Sequence, residues 1–297
     1  MPSPAFVATL VVDPARPTLS DASIARAAQA LPGFVESRWL DIGVAADLYF
    51  EAAADARSAL APIAAEFGAD VIVQPLATRA KRLLVADMDS TLIGQECIDE
   101  LAAVAGVGAR VAGITERAMR GEIPFESALR ERVALLTDLP TRIIDELLET
   151  RITLNPGARA LAATMRARGG YFAIVSGGFT PFTSAIARRL GAHEHRANRL
   201  EISGDRLTGG VIAPILGADA KLLALREISA RLGLDRHETL AVGDGANDLE
   251  MLREAGLGIA YRAKPKVAAA AHARIDHADL TALLFAQGID RKEFARV

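Results

Sequence analysis

Apolar and polar positions change rhythm along this 297-residue chain, and the change divides it in two. Phe6–Val12 reads as a strand, and Ser20 as the N-cap of a helix running to about Leu31. Phe34–Leu40 and Ala45–Phe50 read as two strands joined by a turn at Asp41-Ile42-Gly43. Ala54–Phe67 is an alanine-rich helix, and Val71–Val73 a last short strand. The order β-α-β-β-α-β is that of a small α+β, ferredoxin-like domain. Ala77–Arg82, short and basic, is expected to be the linker out of it.

Beyond the linker the runs lengthen. Leu83-Leu84-Val85-Ala86 is apolar at every position, as in a strand buried on both faces. Helical patterns then fill residues 92–154 as Cys97–Val104, Val111–Met119, Phe125–Leu136 and Thr141–Leu148, with breaks at Gly121 and Pro124. Phe125, Leu129, Val133 and Leu136 fall at helical spacing, so one face of their helix should pack. After Asn155-Pro156-Gly157, helices and strands alternate: Ala158–Arg168, Tyr171–Val175, Phe182–Leu190, a hairpin of Asn198–Ile202 and Leu207–Ile212, Asp219–Leu232, Thr239–Val242, Leu249–Ala255, Gly258–Tyr261 and Arg274–Asp276. That alternation predicts an α/β, doubly wound parallel sheet with a helical segment inserted after its first strand.

The chemistry gathers at strand ends. Asp87 and Asp89 follow the Leu83 strand, and open parallel sheets bind ligands outside the carboxyl ends of their strands. An isolated Asp-x-Asp-x-Thr is equally compatible with an ordinary Asp/Ser turn. Two more strands open on small or polar residues, Ser176-Gly177-Gly178 and Gly243-Asp244-Gly245-Ala246-Asn247-Asp248, and Lys221 begins a helix between them. In this order and spacing the segments resemble the haloacid dehalogenase superfamily, and within it the phosphoserine phosphatase branch. The resemblance runs from about Lys81 to the C-terminus, with residues 92–154 in the position of that superfamily's cap.

The resemblance implies a Mg2+-dependent phosphatase that hydrolyses O-phosphoserine through an aspartyl phosphate, the last step of serine biosynthesis. It makes Asp87 the nucleophile and Asp89 the acid and base. It makes Ser176, Gly177 and Asn247 contacts for the phosphoryl group, and Lys221 a balancing charge. It assigns the metal to Asp87, Asp244 and Asp248, with Asp89 contributing its backbone carbonyl. Several carboxylates converging on one site need a cation, and a hard, oxygen-loving ion suits them. Glu96 and Arg132 become candidates for the ammonium and carboxylate of the substrate, and Met119 and Phe125 for the pocket wall. Residues 1–78 look like the ACT-like regulatory domains that precede some bacterial relatives, against residues 79–297 for the catalytic part. A packing or homodimerising module is an equal reading of the first domain.

Composition narrows the setting. Apolar residues make up 51%, charged residues 24%, and the net charge is −3, which gives no electrostatic reason for nucleic acid or an anionic membrane as partner. No run approaches a membrane span, and the start of the chain lacks a basic leader, so a cytoplasmic enzyme is expected. The single cysteine, Cys97, excludes an internal disulfide and reads as a buried small hydrophobe. Two rivals stand beside the phosphatase: a sister activity on another small phosphomonoester or acceptor hydroxyl, and an amino-acid sensor whose phosphatase half is vestigial.

Overall fold

The computed structural model describes residues 4–52 and 55–297. Its first sheet comprises β1 (Phe6–Val11), β2 (Phe34–Asp41), β3 (Ala45–Phe50) and β4 (Asp70–Pro75), in antiparallel order β2-β3-β1-β4. Helices α1 (Asp21–Gln29) and α2 (Ala56–Glu66) complete the ferredoxin-like arrangement. Ser20 caps α1 as its sequence predicts, its hydroxyl accepting the Ser23 N–H at 3.2 Å. Ala54, the expected first residue of α2, lies outside the described residues.

The two faces of this sheet bury different things. Ala8, Leu10, Ala46 and Leu48 pack beneath the helices, whereas Val11, Ala45 and Ile72 join the core of the rest of the chain. The expected linker is part of that junction. Arg79 is buried, and its guanidinium donates two bonds to Asp47, at 2.7 and 3.0 Å, and others to the carbonyls of Phe285 and Ala286. Asp47 also accepts from Thr9 at 2.7 Å and Tyr49 at 3.1 Å, so one buried carboxylate is shared by four bonds. Lys81 is buried too, donating to the carbonyls of Thr78 and His237, and burial pulls its pKa down to about 8. Basic composition suggested a solvated tether. The charges instead satisfy backbone and carboxylate groups that close packing would leave unpaired.

The second sheet has seven strands: β5 (Leu83–Ala86), β6 (Tyr171–Phe179), β7 (Glu194–Ser203), β8 (Arg206–Ile212), β9 (Thr239–Gly243), β10 (Leu257–Tyr261) and β11 (Ala273–Ile275). Their order is β11-β10-β9-β5-β6-β7-β8, parallel except for β8, and β5 lies at the centre with all four residues buried. Connecting helices are α7 (Ala158–Ala167), α8 (Thr180–Leu190), α9 (Ala218–Leu232), α10 (Leu249–Glu254), α11 (Pro265–Ala270) and α12 (Ala282–Ala286). The last two were not expected. Both are short, and α12 is apolar at all five positions because it is buried throughout, so it shows no helical periodicity.

The cap consists of α3 (Cys97–Val104), α4 (Gly108–Met119), α5 (Phe125–Ala134) and α6 (Arg142–Thr150). It is tied at two places. At its root Gly94 N–H donates to Thr153 O and Asn155 N–H to Leu92 O; at its far side residues 138–141 exchange backbone bonds with Asp205 and Leu207 of the β7–β8 hairpin. Leu129, Val133 and Leu136 are buried as their spacing predicts, but Phe125, expected on the same face, is 37% exposed because it opens α5 beside Gly177, and Val111 is the one buried residue of α4. No helix among the described residues is long and apolar enough to cross a membrane.

Candidate active site

Asp87 stands just past β5, where its own N–H continues the sheet by donating to Val242 O of β9 at 3.0 Å. The end of β5 is flanked by β6 and β9, so those two strands deliver the other groups. Lys221 reaches in from the first turn of α9, 1% exposed, with Nζ 2.8 Å from Asp87 Oδ2 and 2.7 Å from Asp248 Oδ1. The other oxygens are held as well: Asp87 Oδ1 accepts Met88 N–H at 2.7 Å, and Asp248 Oδ2 accepts Gly245 N–H at 2.9 Å. Asp244, after β9, accepts the Thr91 hydroxyl at 3.0 Å.

These carboxylates crowd one another. Oxygens of Asp87, Asp244 and Asp248 all lie within 4.8 Å. Burial, and then the charge of Asp87, pushes Asp244 up to about 7 against the Thr91 bond. Asp248 is raised by burial and by Asp87, with Lys221 opposing. Burial would lower Lys221, but Asp248 and Asp87 more than offset it, so its ammonium is held. The two partners pull in opposite senses, and contacts of 2.7 and 2.8 Å favour the ionised form. Three carboxylates around one ammonium leave an excess of negative charge on hard oxygen donors. That donor set fits a hard divalent cation.

Asp89 points elsewhere. Its Oδ1 accepts the Cys97 N–H at 3.4 Å, and its carboxyl is raised well above the usual range by burial first, then by Glu96 and Asp87. A carboxyl shifted in that direction is suited to proton transfer. Its backbone carbonyl accepts no bond from a described residue and is free to serve as a ligand. Ser176 lies on a bulge of β6: Val175 pairs with Arg196 and Phe179 with Asn198, so the three residues between them on β6 oppose one on β7. Gly178 permits the bulge, since a Cβ there would sit 2.5 Å from Asp89 Oδ2. Its N–H donates to Ser176 Oγ at 2.9 Å, which leaves the hydroxyl proton free to point into the cleft. The Asn247 amide nitrogen and the Phe125 ring both adjoin Gly177, 3.8 and 3.5 Å from where a Cβ would stand.

On the cap side, Glu96 is exposed to the cleft and accepts the Ser90 hydroxyl at 2.6 Å; the protein around it still raises its carboxyl, desolvation first and the charge of Asp87 among the causes. Arg132 bonds Ala128 O and Thr115 Oγ1, both at 3.2 Å, and no described carboxylate lies within 4.0 Å of it. Desolvation lowers its pKa, with Asp99 and Glu96 opposing. Met119 is 62% exposed, its sulfur 3.3 Å from Lys264 Nζ, on the seam between cap and core rather than among the acids. Cys97 is buried and its thiol is raised by desolvation, as expected of an inert packing residue.

Four polar residues that the sequence left without a role hold these groups in place. Thr91 bonds Asp244, and Asn155 donates to the carbonyls of Thr91 and Ile93. Ser90, at φ +55°, bonds Glu96, and buried Asn198 bonds Gly177 O at 2.8 Å and Leu216 N–H at 2.7 Å. Ser90 and Thr91 sit inside the Asp-x-Asp motif. Asn198 gave no signal beyond a polar residue in a predicted strand.

Comparison with known proteins gives the family. The family model for haloacid dehalogenase-like hydrolases matches residues 84–253. A phosphoserine phosphatase of Mycobacterium tuberculosis is 46% identical over 237 residues, which is 79% of this chain and 58% of that protein, so the chain spans little more than half of that relative. A HAD family hydrolase from Salmonella enterica serovar Typhi superposes with a TM-score of 0.85 at 28% identity, over 97% of this chain and 99% of the other. The unliganded structure of a probable phosphoserine phosphatase from Vibrio cholerae gives 0.76 at 32% identity, over 98% and 89%. With its strand-end acids, its bulged Ser-Gly-Gly and its inserted cap, this chain belongs to the haloacid dehalogenase-like hydrolases.

Proposed function

We propose that this chain is a cytoplasmic Mg2+-dependent phosphoserine phosphatase. The observation that carries the reading is the pairing of Asp87 with Lys221 at 2.8 Å, two residues along the chain from Asp89, whose carboxyl burial and the neighbouring Glu96 raise above the ordinary range. In this reading Asp87 attacks phosphorus and the ester P–O bond breaks, leaving the phosphoryl group on Asp87. Asp89 gives its proton to the departing serine oxygen. It then takes a proton from a water that attacks the same phosphorus, which frees Asp87 and releases phosphate. The Ser176 hydroxyl and the Asn247 amide donate to phosphoryl oxygens, and Lys221, 2.8 Å from Asp87, balances the charge gathered there.

Mg2+, held by Asp87, Asp244, the Asp89 carbonyl and, through nearby contacts, Asp248, would supply charge neutralisation for the phosphoryl oxygens. Arg132, an ion without a carboxylate partner among the described residues, suits the carboxylate of phosphoserine, and Glu96 suits its ammonium. The relatives named above support the substrate. The first domain is assigned to regulation or self-association. Its second sheet face is occupied by the catalytic part, so such contacts would use α1, α2 and the β2 edge.

A panel of phosphomonoesters with and without Mg2+, run on wild type and Asp87→Asn, tests the reading. Phosphoserine should be turned over best, and the variant should be folded and nearly inactive, since an amide neither attacks phosphorus well nor anchors a cation. Beryllofluoride should bind wild type and not the variant. Near-normal turnover by Asp87→Asn would sink the mechanism, and faster transfer to an added alcohol than to water would favour the phosphotransferase rival.

A further inference from the structure

An arginine that is to receive a carboxylate must be held in place without being neutralised. A carboxylate side chain holds it firmly but cancels the charge the ligand needs, whereas a hydroxyl or a carbonyl fixes its direction and leaves the charge intact. The surroundings of Arg132 are of the second kind. It lies in the last turn of α5, and its guanidinium donates through Nε to Ala128 O of its own helix and through Nη1 to Thr115 Oγ1 of α4, both at 3.2 Å. Neither N–H group of Nη2 is engaged by a described residue.

Two carboxylates compete for that guanidinium. Desolvation lowers the pKa of Arg132, and Asp99, in the first turn of α3, opposes it more strongly than Glu96 does. The influence is mutual, since burial raises the Asp99 carboxyl and Arg132 draws it down. Yet neither carboxylate lies within 4.0 Å of Arg132. The arginine stands near an opposite charge that it does not touch, and the Thr115 hydroxyl is its one side-chain partner among the described residues. Helix α4 packs against both α3 and α5, so Thr115 is well placed to decide which way the side chain turns. A long side chain with several rotamers needs such a partner, because a free carboxylate nearby is the stronger acceptor.

We propose that Thr115 is a positioning residue for substrate specificity: its hydroxyl holds Arg132 as an uncompensated cation for the substrate carboxylate and keeps it from collapsing onto Asp99. This rests on the reading of Arg132 as the receiver of that carboxylate, and deepens it by giving the orientation of the arginine a cause. Thr115 bonds Arg132 and none of the strand-end acids, so its effect is confined to the amino-acid end of the substrate. Thr115→Val removes the hydroxyl while keeping the branched shape and a comparable helix propensity.

The test is steady-state kinetics of Thr115→Val, Thr115→Ser, Asp99→Asn and the double variant Thr115→Val/Asp99→Asn, with Arg132→Ala as reference. The substrates are phosphoserine and phosphoethanolamine, which keeps the ammonium and lacks the carboxylate. Thr115→Val should raise KM for phosphoserine roughly three- to tenfold with kcat within about twofold, and should leave KM for phosphoethanolamine within about twofold of wild type. Thr115→Ser, which keeps the hydroxyl, should stay near wild type. Asp99→Asn removes the competing charge, so the double variant should recover most of the KM lost in Thr115→Val, a recovery that a packing role for Thr115 would not produce. An equal rise in KM on phosphoethanolamine, a loss in Thr115→Ser as large as in Thr115→Val, or a double variant no better than Thr115→Val would each overturn the assignment. If Arg132→Ala spared phosphoserine, the reading of Arg132 would fall and take the assignment with it. A loss in Arg132→Ala with Thr115→Val unchanged would overturn the role of Thr115 alone.

Discussion

Lys221→Met tests how the acid cluster is held together. The ammonium is 1% exposed and lies 2.8 Å from Asp87 and 2.7 Å from Asp248, so the substitution leaves two buried carboxylates facing each other without a cation. Removing one partner of a buried pair costs about 3–5 kcal/mol, and Met fills similar volume, so little of the loss is cavity. The loss must depend on pH. Burial and Asp87 already raise Asp248 with Lys221 opposing, so without Lys221 its folded pKa moves further above the unfolded value of about 3.9. Below that unfolded value the carboxyl is protonated in both states and contributes no penalty. As pH rises, the unfolded chain releases the proton and the folded protein does not, so stability relative to wild type falls until the folded pKa is passed. Thermal unfolding in a chelator should therefore show variant and wild type closest near pH 4, and apart by on the order of 10 °C at pH 8. Added Mg2+ should recover part of the difference at pH 8 by restoring a cation to the cluster. A pH-independent loss would mean that packing, not charge, was removed. A loss below about 1 kcal/mol at pH 8 would refute the view that these carboxylates are desolvated and need Lys221.

Arg132→Ala and Glu96→Gln should each lower kcat/KM for phosphoserine about ten- to a hundredfold and leave an aryl phosphate much less affected; equal losses on both would put these residues in catalysis. For Glu96→Gln the alkaline limb of the pH profile should also shift down on both substrates, because Glu96 is one of the charges raising Asp89. Asp47→Ala removes the acceptor of bonds from Thr9, Tyr49 and Arg79, and should cost about 3–5 kcal/mol in a single unfolding transition. A chain beginning at Thr78 should for the same reason be insoluble or strongly destabilised, and a stable, active truncation would show that the shared interface is dispensable. Tyr261→Phe should be neutral or slightly stabilising in a melt, since its buried hydroxyl has no partner among the described residues; a loss above about 1 kcal/mol would reveal one.

Much of this molecule was determined by local sequence. Period-two runs, helical spacing, Ser20 and the breaks at Gly121 and Pro124 specify elements through interactions a few residues long, and the structure reproduces them. The acids were legible because a buried parallel strand is apolar throughout and a carboxylate at its end is conspicuous. Tertiary structure alone decided what those charges do. Arg79 and Lys81 look like a solvated tether until the second face of the first sheet is seen against the catalytic core, where only paired cations can be buried. Gly177 and Gly178 look like a turn until β6 is laid against β7 and the bulge appears. Asn198 and Asn155 act through carbonyls 21 and 64 residues away, a separation that no local pattern encodes. Met119 is expected in the pocket wall, yet the cap carries it to Lys264 on the core. Spacing along one helix sets which face a side chain occupies, and only the docking of that helix sets what the face meets.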